Sequence, residues 1–142
     1  MTTSGNVETV HDFIESFWNR QEADAIDRFL TNDYVDLAYS PKSVEGLRAT
    51  GNALVTAFPD ARSTIESVIA EGDRVVVRLT LRGTHQGPFR GTEATGNPVE
   101  VTGYREYRLV DGKIAEHHGL LDTATLLRQI EAGPPPENAC AN

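Results

Sequence analysis

The stretch Arg74-Val75-Val76-Val77-Arg78-Leu79-Thr80-Leu81-Arg82 decides the fold class. Val75, Val77, Leu79 and Leu81 alternate with Val76, Arg78, Thr80 and Arg82, the period of two that marks a strand with one dry face. Glu71-Gly72-Asp73 just before it reads as a hairpin turn, which makes Ala61 to Ala70 the partner strand. Downstream, Gly83 to Pro98 is rich in Gly, Thr and Pro and predicts a long loop. Val99 to Val110 is a further strand, Asp111-Gly112 a tight turn, and Lys113 to Leu121 the returning strand. The second half of the chain is thus an antiparallel meander.

Upstream of Pro59 the period lengthens. Val7, Val10, Phe13, Ile14, Phe17 and Trp18 fall in steps of three and four and draw one helical stripe, with Asn6 placed as its N-cap. Ala23 to Leu30 predicts a second helix and Tyr34 to Tyr39 a short strand. Val44 to Phe58 is a third helix that turns Leu47, Leu54, Val55 and Phe58 inward, and Pro59 ends it. After the meander, Thr123 to Glu131 resumes helical spacing through Leu126, Leu127 and Ile130. Segregated helices and strands argue α+β rather than alternating α/β. The expected architecture is a cone: a strongly curved mixed or antiparallel sheet wrapped by N-terminal helices, closed by a short C-terminal helix. The mouth of such a cone can hold a ligand.

The 142 residues suit one domain and one core, expected over 6–132, with 133–142 a flexible tail. No apolar run approaches the roughly 20 residues that span a bilayer, and the first residues lack the basic and apolar segments of a signal peptide. A cytoplasmic protein is expected. The net charge of −8 disfavours nucleic acid and anionic membrane as partners, because both are bound through clustered Lys and Arg. The single cysteine, Cys140, excludes an internal disulfide framework and a cysteine-based zinc cluster.

Nucleotide-binding motifs are absent. Gly91-Thr92-Glu93-Ala94-Thr95-Gly96 has two glycines, but it follows a loop instead of a strand. His117-His118 suggests a metal pair, yet neighbours on a strand face opposite ways, so no metal is expected.

The segment Asp111-Gly112-Lys113-Ile114-Ala115-Glu116-His117-His118, followed by Asp122 and Leu127-Arg128-Gln129-Ile130, resembles SnoaL-like polyketide cyclases. Ala57-Phe58-Pro59-Asp60, Glu71-Gly72-Asp73-Arg74-Val75 and Gly83-Thr84-His85-Gln86-Gly87 match as well, in the family's order, so the resemblance runs roughly from Val7 to Ile130. It implies the cone fold shared with ketosteroid isomerases and nuclear transport factors, commonly dimeric through the open sheet face. It also implies cofactor-independent, aldol-type ring closure on a small or polycyclic carbonyl compound in an apolar pocket.

By the same resemblance Asp122 takes the place of the general acid/base. Burial would raise its pKa and strengthen it as a base; an N-cap for the helix at Thr123 is the structural alternative. His85 corresponds to a rim histidine, or else braces its loop. His118 departs from the family's frequent Trp. It either tunes Asp122 from inside or faces solvent, leaving the inner side to His117. Arg105, in Tyr104-Arg105-Glu106-Tyr107, either points inward to grip a carboxylate or enolate or pairs with an acid outside. Trp18, Tyr34, Phe58 and Phe89 are candidate pocket walls, although each residue type is more often simple core, and Tyr104 and Leu120 complete the candidate wall. A hydroxylase or epoxide-hydrolase relative, and a non-catalytic ligand-binding or dimerisation module, are the rival functions on the same fold.

Overall fold

A computed structural model describes residues 2–132. The tail expected over 133–142, with Cys140, lies outside the described residues. Helix α1 (Thr3–Phe13) runs on as a π-helical segment (Ile14–Asn19), followed by α2 (Ala25–Phe29), β1 (Leu30–Asp36) and α3 (Val44–Ala57). Then come β2 (Arg62–Glu71), β3 (Arg74–Thr84), β4 (Pro98–Val110), β5 (Lys113–Leu121) and α4 (Thr123–Ala132). The five strands form one curved mixed sheet in the order β1-β5-β4-β3-β2. β1 lies parallel to β5, and the other three pairings are antiparallel.

The alternation around Val75 orders the core. Val75, Val77, Leu79, Tyr107, Leu109 and Ile114 are buried under Val10, Phe13 and Ile14 of the first helical stretch. A second cluster joins Phe58, Leu81, Val99 and Val101 to Leu126 and Ile130 of α4. The two hairpins close as the sequence predicts. Gly72 takes φ 59°, and Asp111 and Gly112 take 49° and 79°, the positive values a tight two-residue turn needs.

Three local expectations are corrected. Thr2, not Asn6, caps α1: its hydroxyl accepts from the Gly5 amide at 2.9 Å, and Asn6 is buried inside the helix. Leu30 ends α2 in an extended conformation and opens β1, which begins four residues before the expected Tyr34 and stops at Asp36. An apolar Leu30 suits either assignment, and its pairing with Ile114 of β5 chooses the strand. On α3, Leu47 and Phe58 are buried, but Leu54 and Val55 are only partly so. That helix covers a cavity along part of its length instead of packing on the sheet.

Candidate active site

The cavity begins with two glycines on the inner face of the sheet. Gly103 of β4 and Gly119 of β5 are opposite Leu121 and Arg105 in register. Glycine inside a strand weakens it and often marks a place where another molecule approaches the backbone. A Cβ on Gly103 would lie 3.1 Å from Leu121 Cδ1, and one on Gly119 only 2.8 Å from His117 Nε2. Opposite them α3 presents small side chains, Ala49, Thr50 and Ala53. The space between measures about 700 Å³, within the range of small-molecule sites. Its wall also includes Trp18, Tyr39, Leu79, Phe89 and Arg105.

Arg105 is the charged group at the inner end. Its guanidinium stacks over the Trp18 ring at 4.1 Å, a contact worth about 0.5–2 kcal/mol from exposed to desolvated sites. Nη1 donates to the Tyr39 hydroxyl at 2.7 Å and lies 3.3 Å from His117 Nε2. His117 is buried, with Nδ1 3.2 Å from Asp36 Oδ1. Asp36, fully buried, also accepts from the Tyr34 hydroxyl at 2.6 Å and the Ala38 amide at 3.0 Å. The network fixes the tautomer: His117 carries its proton on Nδ1, toward Asp36, and offers the Nε2 lone pair to Arg105. Tyr107 stacks on the imidazole with centroids 4.9 Å apart.

Burial pushes the His117 pKa down and the Arg105 charge adds to that, against the hydrogen bond to Asp36, so the ring is neutral. Burial alone would raise the Asp36 pKa, but the bonds from His117, Tyr34 and Ala38 outweigh it and hold the carboxyl below its ordinary value. Burial first of all pushes the Tyr34 and Tyr107 phenols up, so both stay protonated. Burial works against the Arg105 charge, yet the Tyr39, Tyr107 and Asp36 surroundings keep its pKa above the usual value.

His117 has a lower pKa folded than unfolded, so below its ordinary value of 6.5 the unfolded chain binds more protons. Stability is expected to be fully present above about pH 6.5 and to decline as pH falls toward the depressed value. Asp36 adds to the decline at lower pH, beneath its ordinary 3.8. Urea midpoints measured at about pH 7.5 and about pH 5.5 check this, with the lower midpoint expected in acid.

The structure separates the residues the sequence proposed. Arg105, Trp18 and Phe89 meet at the cavity wall. Tyr104 and Leu120 also border it, but they pair with one another across β4 and β5, and their side chains are largely exposed, 51% and 82%. Tyr34 and Phe58 are buried and lie off the wall: Tyr34 supports Asp36, and Phe58 belongs to the second core cluster.

His118 is on the outer face, 3.0 Å from Glu116. His85 is fully buried outside the wall, its Nδ1 accepting from the Thr95 amide at 3.2 Å. That bond, with the His85 amide donating to the Asn97 carbonyl at 2.9 Å and the Gly96 amide to the His85 carbonyl at 2.8 Å, braces the loop that carries Phe89 and Arg90 to the cavity. Asp122 is exposed and caps α4. Its carboxylate accepts from the Thr125 amide at 3.2 Å and the Thr125 hydroxyl at 2.7 Å. The hydroxyl bond is the main reason its pKa lies below the ordinary value. An acid/base raised by burial at Asp122 is therefore not the geometry found. Among the described residues no group of three His, Cys, Asp or Glu is placed to hold a metal ion.

Asp36 and Tyr39 were missed as site residues, and His117 was named only as the inward alternative to His118. A regular hairpin closed by Val110 and Lys113 would set Arg105 opposite His118. The register slips by one between Leu109↔Ile114 and Arg108↔Glu116, so Ala115 is an extra residue. Such a bulge flips every following side chain, which puts His117 opposite Tyr107 on the inner face.

The chain thus combines a cone-shaped α+β fold, a cavity at the inner face of its sheet and an Arg-His-Asp chain at the cavity's end. The model of the SnoaL-like polyketide cyclases matches residues 8–130, and the chain belongs to that family. Aklanonic acid methyl ester cyclase DauD of Streptomyces sp. (strain C5) is 29% identical over 141 residues, covering 94% of this chain and 87% of its own. Aklanonic acid methyl ester cyclase DnrD of Streptomyces peucetius is also 29% identical, covering 94% and 97%. Among solved structures, AclR of Streptomyces galilaeus superposes with a TM-score of 0.83 at 29% identity, over 94% of this chain and 100% of that one. TsrD of Streptomyces laurentii gives 0.82 at 25% identity, over 93% and 98%.

Proposed function

We propose that the chain catalyses an intramolecular aldol-type ring closure of a polycyclic carbonyl compound in the cavity. The observation that supports this most is the position of charged Arg105 at the wall with neutral His117 and ionised Asp36 behind it. In this reading His117 Nε2 takes a proton from the carbon next to a carbonyl. Gly119 borders the cavity beside Nε2, where a Cβ would come within 2.8 Å of that nitrogen. Arg105 and Tyr39 face the enolate oxygen, in a site where such donors act more strongly than in water. The enolate carbon attacks the second carbonyl carbon, one carbon–carbon bond forms, and the imidazolium returns its proton to the new alkoxide. Atoms balance, so substrate and product are isomers. The 3.3 Å contact from Arg105 to Nε2 is long for a hydrogen bond and yields readily to a substrate.

A second reading keeps Asp122 as the acid/base, because its neighbours Leu121 and Thr123 both border the cavity. The activity itself is tested by incubating the protein with aklanonic acid methyl ester, the compound in the relatives' names. The expected product has the same mass and one more ring. Recovery of unchanged ester, and of unchanged open-chain analogues, at stoichiometric protein would count against the reading.

The exposed face of the sheet supports a homodimer. Ile69, Tyr104 and Leu120 are 71%, 51% and 82% exposed on it, and apolar surface of that kind marks interfaces. Sedimentation equilibrium at micromolar concentration is expected to give twice the mass of 15.5 kDa; the monomer mass would refute the dimer.

A further inference from the structure

We propose that the Nε/Nη2 edge of Arg105 binds a planar two-oxygen anion, either a carboxylate or the enolate of a 1,3-dicarbonyl compound. The inference rests on the reading of the cavity as the substrate site and specifies what enters it. Arg105 spends only Nη1 on the protein, toward Tyr39 and His117. Among the described residues the buried Nε has no partner and Nη2 makes no hydrogen bond. Those two N–H groups lie side by side on one edge of the guanidinium plane, the fork that matches two coplanar oxygens. Trp18 beneath the plane and Tyr39 at Nη1 hold the fork in place before a ligand arrives. Little side-chain freedom is then left to lose on binding.

The charge around the cavity points the same way. In a chain of net charge −8, none of the described residues lining the cavity is Asp or Glu, whereas a second arginine, Arg90, joins Arg105 at the wall. Asp36, the carboxylate nearest the network, is already engaged by Tyr34, His117 and the Ala38 amide. A ligand with one strong acceptor would answer only one of these two N–H groups well. An ester or simple ketone presents one strong acceptor, and a carboxylate or dicarbonyl enolate presents two.

Trp18 is the one tryptophan of the chain and borders the cavity, so its fluorescence reports binding. The probes are anthraquinone-2-carboxylate against its methyl ester, and 2-acetyl-1-tetralone against 1-tetralone, each titrated into wild type and Arg105→Lys. Lysine keeps the charge and loses the fork; circular dichroism confirms that the variant folds. At least about tenfold tighter binding of the carboxylate than of its ester is expected in wild type, shrinking to about threefold or less in Arg105→Lys. A preference confined to the carboxylate names that source. Tight binding of the tetralone diketone, with the absorbance of its enolate growing on the protein, names the other. Equal binding of each pair in wild type, no binding of any probe, or a preference undiminished in Arg105→Lys would overturn the inference. Because turnover is not read, ring closure of the neutral ester would stand even if the fork were refuted. Conversely, a confirmed fork without ring closure would remove the catalytic reading alone.

Discussion

Turnover in the ring-closure assay is expected to fall roughly 100-fold or more in His117→Asn, the usual worth of a general acid/base. Asparagine places an amide N–H close to the position of Nδ1 and so keeps the bond to Asp36, while nothing replaces Nε2. Substrate affinity should change little, since His117 lies behind Arg105 and Gly119, so the loss belongs in kcat. The wild-type profile should also rise with pH on an acid limb below about 6.5 and flatten by neutrality, because the ring acts as a base only when neutral. A variant at wild-type speed would remove His117 from the chemistry.

Asp36→Ala is expected to have the largest effect on stability. The carboxylate is fully buried and answers three donors: the Tyr34 hydroxyl, the His117 ring and the Ala38 amide. Alanine leaves all three unanswered and leaves Arg105 without its buried counter-charge. Breaking a buried charged network by removing one partner costs about 3–5 kcal/mol, a large share of the roughly 5–15 kcal/mol that a domain has. Asp36→Asn retains one acceptor oxygen and should cost clearly less. Urea unfolding at neutral pH measures both, and an Asp36→Ala midpoint equal to wild type would show that the network adds no stability.

The fold was legible because its signals are periodic. Val75 to Leu81 alternates without interruption, and Asp111-Gly112 is a turn whose conformation few other dipeptides accept. β1 was harder to place because Leu30 serves as the last buried residue of a helix or the first of a strand, and only its long-range pairing with Ile114 decides.

The site was legible in part. Arg105 was found with both of its orientations open, and Trp18 and Phe89 as wall residues. His117 and His118 hinge on one extra residue at Ala115, and nothing local in Ile114-Ala115-Glu116 announces a bulge. Asp36 was hidden for a different reason. A single aspartate in a short strand looks like a solvent-facing position until the parallel pairing with His117 on β5 brings the two together. The inward glycines, Gly103 and Gly119, were the readable signal that went unused, since glycine within a strand asks what fills its space.

The proposed ring closure turns on proton transfer at His117, behind the cavity wall. Solvent-deuterium incorporation at the carbon beside the carbonyl of one polycyclic ketone, followed by mass spectrometry, tests it in wild type, His117→Asn and Asp122→Asn. Asparagine is also a good N-cap, so Asp122→Asn leaves α4 intact and removes only the titrating group. Comparable incorporation is expected in wild type and Asp122→Asn, and only the uncatalysed rate in His117→Asn. Incorporation that survives in His117→Asn and disappears in Asp122→Asn would contradict it.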